Sequence, residues 1–395
     1  MRGPLRAAIV ATVVPEQTRA PRYTSPRRVR VRLKSARREF LKYPLAAGVA
    51  GTLAGASRTA AAAPRIDEYD PSNTKIATVI SPSAGDDQLL FLRQIGLGWV
   101  QVAFGPNAPF EYIKSTQERL ARYGLKIHCA YWESAYRTQR IQLGQPGRDE
   151  DIAKFQTFLG DLGRLGIFCT KIDFHPGNTY TTKEIVSPRG YRVREFNLDD
   201  FHKSVEKRMF DRVYTAADIW ANYTYFIKAV LPVAEKADVR LGLHPDDPPT
   251  AASSMMNGVA KIFVDYDGIR RADELAGHSR HWGLTFCVGT WSEGGSQMGK
   301  DTFEMIRDFG GRGRIFAVHF RNVSSPLPVF HETFQDDGYM DMYQVMKALR
   351  QVKCAASLIP DHYPTLVNDP GHRIADTYSI TYMRSLLRRA NEEVG

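Results

Sequence analysis

Paired cysteines, long apolar runs, basic charge in the body and a glycine-rich phosphate loop are all scarce or missing in this 395-residue chain. Four cysteines occur, at 129, 169, 287 and 354, with no regular spacing. A chain this large can bury a core without disulfide staples, so free, buried thiols are expected, with Cys287 the exception argued below. The apolar run Tyr43 to Gly55 is short and rich in Gly and Ala, too weak for a permanent membrane anchor. The net charge of +10 is not spread evenly: residues 1–63 hold 13 Lys/Arg and 2 Asp/Glu, leaving 40 basic and 41 acidic residues for the rest. A body with no basic excess cannot neutralise phosphates, which excludes nucleic acid as a partner. No internal repeat appears beyond a strand–helix rhythm, and no Gly-rich loop follows the first strand, which argues against an open doubly wound sheet.

With 43% apolar and 24% charged residues the chain reads as globular. The basic excess sits in a leader. Ala36-Arg37-Arg38-Glu39-Phe40-Leu41-Lys42 resembles a twin-arginine export motif, a weak apolar run follows, and Ala60 to Ala63 supply a small-residue cleavage pattern. The alternative is a basic arm followed by an Ala-rich helix. The expectation is export through the twin-arginine translocase to the periplasm or outside the cell. Residues 1–63 are thus set aside as a leader and residues 64–395 taken as one domain.

Hydrophobic periodicity gives eight strands alternating with helices. The strands are expected at Lys75–Ile80, Trp99–Phe104, Lys126–Tyr131, Phe168–Phe174, Val239–Leu243, Leu284–Cys287, Ile315–His319 and Ala355–His362. Helices are expected at Asp86–Ile95, Phe110–Tyr123, Asp149–Leu165, Ala217–Ala237, within Phe263–Ala276, and at Asp301–Phe309, Tyr339–Gln351 and Thr377–Glu393, with Gly124 and Gly166 as C-terminal stops. Alternation implies a parallel sheet, and eight units imply a (β/α)8 TIM barrel. Residues 175–215 break the rhythm as a long insertion after strand four, the kind of segment that forms a lid.

In such a barrel the chemistry sits at the C-terminal strand ends. Strand five ends at His244, before Pro245-Asp246-Asp247-Pro248-Pro249; strand six ends at Cys287, seven at His319 and eight at Asp361. Two imidazoles, a thiol and a carboxylate on four successive tips form a divalent-metal ligand set. Singly, each has an ordinary structural reading as a capped turn or a small core residue; together they point to one ion. His362 is a candidate acid or base, or an orienter of a ligand. Arg321 and Asn322 are candidates for a substrate carboxylate. Asp246 and Asp247 can bond hydroxyls or simply form the turn. His175, Asn178, Tyr180 and Arg189 are further pocket candidates, whereas His331-Glu332 reads as a turn and His128 as structural.

From Gln94 onward the chain resembles the mannonate dehydratase family of the xylose-isomerase-like barrels. The likeness rests on Leu143-Gly144-Gln145-Pro146-Gly147-Arg148-Asp149, on His244-Pro245-Asp246-Asp247-Pro248-Pro249, and on Gly283 to Thr290. It continues through His319-Phe320-Arg321-Asn322, Phe330-His331-Glu332, Asp341-Met342-Tyr343 and Pro360-Asp361-His362. The resemblance implies that His244, Cys287, His319 and Asp361 are the metal ligands and His362 an acid/base. It also implies Mn2+ or Fe2+, with Mn2+ first, where the donor types alone would favour Zn2+. The implied reaction is loss of water from D-mannonate, a small sugar acid, to 2-keto-3-deoxy-D-gluconate. Two departures stand out. The family's Met-Pro-Val-x-Asp-Trp-like segment after strand four is replaced by Phe174-His175-Pro176-Gly177-Asn178-Thr179-Tyr180, and a tyrosine after a Pro-Gly is replaced by His372, taken here as the second catalytic candidate. Competing readings are a sugar isomerase or epimerase on the same barrel, and an exported sugar-acid binding protein without turnover. A homo-oligomer is compatible with all three.

Overall fold

The computed structural model describes residues 69–175, 181–251 and 255–394. These all fall within Ala61–Gly395; residues 1–60, with the twin-arginine motif, lie outside the described residues, as do Asn178 and Tyr180. In chain order the strands are β1 (Lys75–Ile80), β2 (Trp99–Ala103), β3 (Lys126–Tyr131), β4 (Cys169–Ile172), β5 (Lys183–Val186), β6 (Arg192–Asn197), β7 (Arg240–Leu243), β8 (Trp282–Cys287), β9 (Ile315–His319), β10 (Asn322–Val323), β11 (Val329–Thr333) and β12 (Ser357–Ile359).

Eight of them form a parallel sheet in the order β3-β2-β1-β12-β9-β8-β7-β4, the nearly closed barrel expected. β8 and β9 are buried at every position, as near-continuous apolar strands covered on both faces must be. The end strands β3 and β4 meet through side chains: Cys129 and Cys169 share one apolar cluster, and the Lys171 ammonium lies 4.5 Å from the centre of the Tyr131 ring.

Helices cover the outside. In the helix Ala216–Lys236 the buried residues Ile219, Trp220, Tyr223, Phe226, Ile227 and Val230 recur every three or four positions, the spacing of one helical face. Thr215 and Asp218 close a reciprocal capping box at its start. Thr215→Ala should therefore lower stability by about 1 kcal/mol, read from the midpoint of urea unfolding; an unchanged midpoint would show the cap idle. Gly124 and Gly166 take positive φ (71° and 69°) just past their helices, as expected of C′ glycines. Among the described residues no helix is long and apolar enough to cross a membrane.

Three local expectations are corrected. First, residues 181–215 are not patternless: β5 and β6 form an antiparallel hairpin, and β6 pairs with β11, which pairs with β10, giving a second sheet of four strands. Phe196, Phe201 and Val205 pack there with Val323 and Phe330, so the hairpin is stabilised by a segment far along the chain. His331 and Glu332, read as a turn, lie in β11. Second, the helix expected at Asp301–Phe309 is a short α-helix, Thr302–Met305, followed by a π-helical turn, Ile306–Gly310. Third, β12 stops at Ile359, and Asp361 follows in the left-handed region, φ 68°.

Candidate metal centre and active site

Strand register assembles the site. Cys287 of β8 is paired with His319 of β9, and His319 with Ile359 of β12. Paired residues of neighbouring parallel strands present their side chains on the same face. His244 lies one residue past β7, its backbone N–H held by the Ile172 carbonyl at 2.8 Å. Ligand-type atoms of His244, Cys287 and His319 all lie within 4.8 Å of one another, and all three residues are buried. His244 Nε2 is 3.1 Å from His319 Nδ1, and Asp361 Oδ2 is 3.2 Å from that same Nδ1. The positive φ of Asp361 suits a short polar side chain and turns its carboxylate toward β9. The cluster of two imidazoles and a thiol, with the carboxylate alongside, is thus brought together by four consecutive barrel strands.

Burial sets the protonation states. It pushes the His244 imidazole well below its ordinary range, helped by the neighbouring His319, and lowers His319 against the pull of Asp361. Both rings are therefore neutral near pH 7, the form that donates a lone pair to a metal. Burial also pushes the Cys287 thiol up to about 12, although Arg321 opposes the rise. The sulfur accepts a long contact from the Thr290 N–H at 3.4 Å, at the start of the helix Val288–Gly294.

Beside the cluster opens a cavity of about 190 Å³, lined by His244, Asp247, His319, Asp361 and His362 together with Glu133, Arg137, Lys171 and His175. The last four are cross-braced. Lys171 Nζ donates to Glu133 Oε1 at 2.7 Å, Arg137 lies 3.2 Å from the same carboxylate, and Arg137 Nε donates to the buried Asp173 at 2.5 Å. His175 Nε2 is 3.5 Å from Arg137 Nη2. This placement agrees with His175 as a pocket residue.

Four other candidates lie elsewhere or are otherwise engaged. Arg321 is 1% exposed, and its fork is spent on the protein's own groups: Nη1 donates to Glu293 at 2.6 Å, Nη2 to Asp247 at 2.8 Å and to Thr290 at 3.2 Å, while Nε lies 3.3 Å from Asp361 without a hydrogen bond. Arg321 is not among the residues that line the cavity. The guanidinium lies so close over Gly289 that any Cβ there would collide with it. Asn322 is buried and spends its amide on the backbone, donating to the Gln335 and Met340 carbonyls and accepting from the Val323 and Met340 N–H groups. Asp246 accepts from the Ile262 and Phe263 N–H groups, with its other oxygen 3.6 Å from His175. It shapes a buried turn and is not among the cavity residues. His372 is not among the cavity residues; it sits in a tight turn, φ 56°, with its ring stacked on Tyr363.

Sequence reasoning passed over Glu133, Arg137, Lys171, Arg194 and Glu332. A lysine inside the buried run Cys169-Thr170-Lys171-Ile172 was a usable signal, because a charge in a covered strand needs a partner. Arg194 carried no local signal, and Glu332 was read only as part of a turn, although Phe330-His331-Glu332 belongs to the family likeness.

An eight-stranded parallel barrel with imidazoles, a thiol and a carboxylate gathered at its C-terminal rim defines a xylose-isomerase-like barrel enzyme. The same fold occurs in a xylose isomerase-like TIM barrel protein from Mycobacterium smegmatis, 12% identical with a TM-score of 0.53 over 82% of this chain and 99% of that one. The chain belongs to the D-mannonate dehydratase (UxuA) family, whose sequence pattern matches residues 193–393. Mannonate dehydratase 2 of Halalkalibacterium halodurans is 28% identical over 315 residues, covering 72% of this chain and 88% of its own. The crystal structure of mannonate dehydratase from Streptococcus suis serotype 2 superposes with a TM-score of 0.71 at 25% identity, over 82% of this chain and 96% of that chain.

Proposed function

We propose that this protein is a hydro-lyase that dehydrates a sugar acid, D-mannonate first, to 2-keto-3-deoxy-D-gluconate and water. One observation supports it above the others: His244, Cys287 and His319 converge at the barrel rim with His362 opening onto the same cavity. The donor set fits a divalent transition metal, being two neutral imidazoles and one thiol within 4.8 Å, with a carboxylate beside them. His244, Cys287, His319 and Asp361 would hold it, and Mn2+ is our first choice, ahead of Fe2+ and Zn2+. When bound, such an ion acts as a Lewis acid that lowers the cost of negative charge at the substrate carboxylate.

The chain's own groups do the rest. The C2 proton lies next to a carboxylate and leaves only to a well-placed base. His362 takes it at Nε2 and passes it to the C3 hydroxyl, which departs as water. The remaining enol moves its O2 proton to C3 and becomes the 2-keto acid. Lys171, Arg137 and Glu133, which line the same cavity, hold the hydroxyls of the substrate in place.

The test is incubation with Mn2+ and a panel of C6 and C5 aldonates, followed by assay for a 2-keto acid. An epimer as product would favour the isomerase reading, and tight binding without turnover the binding-protein reading; either defeats the dehydratase. His362→Asn should lower kcat by about 10²–10⁴-fold with metal content unchanged, and retention of full kcat would remove His362 from the mechanism. Residues 1–63 are proposed as an export leader on the strength of Arg37-Arg38 and the alanine run. Its processing is checked by N-terminal sequencing of the mature protein.

A further inference from the structure

The second sheet reaches into the active site through one contact. Glu332, on β11, brings Oε1 to 2.6 Å from His362 Nδ1. Arg194, on β6, grips the same carboxylate with both arms of its fork, Nε to Oε2 at 2.9 Å and Nη2 to Oε1 at 2.5 Å, and its Nη2 also touches His362 Nδ1. On the other side of the ring, His362 Nε2 is 3.5 Å from Asp361 Oδ2, and His362 is one of the residues lining the cavity.

Two partners therefore meet at one nitrogen, and only one can bond to it. A carboxylate oxygen 2.6 Å from a bare ring nitrogen would set two lone pairs against each other. With a proton on Nδ1 the same distance is a short, charge-assisted hydrogen bond. Arg194 keeps both bonds of its fork to Glu332, and only its close approach to Nδ1 has to open when that nitrogen carries the hydrogen. The Arg194 guanidinium, paired with both oxygens of Glu332, favours the ionised carboxylate against the burial that would raise it.

We infer that Glu332 and Arg194 are positioning residues for the dehydration: they lock His362 in the tautomer with hydrogen on Nδ1, so that the lone pair of Nε2 faces the substrate. This inference rests on the dehydratase reading. It gives the insertion after β4 a role in the chemistry, since Arg194 ties that hairpin to the histidine through Glu332. A merely structural pair would fasten the hairpin to β11 and leave the tautomer to chance. In Glu332→Gln the amide can donate to Nδ1, which places the ring hydrogen on Nε2, the wrong side for a base; loss of the correct tautomer in this way is known to lower the turnover of histidine-dependent enzymes severely.

The decisive measurement is a two-bond 1H–15N spectrum of 15N-histidine-labelled protein, metal-free and loaded with diamagnetic Zn2+. The His362 signal is assigned by its loss in His362→Asn. In the unsubstituted protein at pH 8 the hydrogen is expected on Nδ1; a bare Nδ1 overturns the inference, whether or not any aldonate is turned over. With D-mannonate and Mn2+, Glu332→Gln is expected to lose about 10²-fold or more in kcat. Its KM should stay within about threefold and its metal content should be unchanged. Arg194→Lys, which keeps the charge but not the fork, should fall between the two. A Glu332→Gln protein that folds and keeps kcat within about twofold would also overturn the assignment. If the spectrum shows hydrogen on Nδ1 but no aldonate reacts, the clamp stands and the dehydratase reading falls.

Discussion

Cys287→Ala is expected to leave the protein folded but unable to retain a divalent ion, with turnover lowered by roughly 10³-fold or more, the equivalent of several kcal/mol of lost charge stabilisation. The side chain is fully buried between His319 and the helix that starts at Val288, so the lost volume is small and the lost donor decides the outcome. The thiol also makes loading depend on pH. Its proton is held up to about 12, while the imidazoles of His244 and His319 are already neutral near pH 7. Loading should then release about one proton, and affinity should rise about tenfold per pH unit through the neutral range, because protons compete for the sulfur. Metal analysis after dialysis and proton release in weak buffer with a pH indicator read both effects. A Cys287→Ala protein that keeps its metal, or loading without proton release, would remove the sulfur from the ligand set.

Arg321→Met should cost about 3–5 kcal/mol of folding free energy, because it leaves buried carboxylates without their cation. Glu293, Asp247 and Asp361 surround the guanidinium, and it is 1% exposed. Lysine at this position should not restore stability, since a single ammonium cannot replace a fork that bonds two carboxylates and a hydroxyl. Chemical denaturation of the metal-free protein measures the loss without any contribution from the ion. The distinction from a substrate-binding arginine is sharp: that role predicts a raised KM with stability intact, and this result would restore it.

The barrel was legible because its signals are local. Continuous apolar runs such as Ile315–His319, with glycine stops such as Gly124 and Gly166, mark strand and helix ends from nearest neighbours alone. The proposed ligands were legible for a related reason. A residue at or just past the end of a barrel strand is carried to the C-terminal rim whatever lies between the strands, so His244, Cys287 and His319 could be placed side by side before any coordinates, whereas Asp361, two residues past β12, is turned toward them by its positive φ. Arg321 shows where this stops. Its sequence neighbours are those of a ligand-binding arginine, but its partners Asp247 and Glu293 lie 74 and 28 residues away in sequence. His372 was placed by alignment, and a turn with positive φ at Gly371 and His372 carries its ring to Tyr363.

From its sequence alone, then, the chain determined an eightfold strand–helix alternation and the donor atoms at four strand tips, because periodicity and strand ends depend on a few adjacent residues. Only the tertiary structure decided which charges serve the fold and which face the cavity. Arg321 disappears beneath the site, Lys171 and Arg137 emerge to line it, and a hairpin pairing with β11 delivers Arg194 to Glu332 and His362. Such choices depend on register and on which buried carboxylate lies within about 3 Å of which cation, and a buried charge takes whatever partner the closed barrel brings to it.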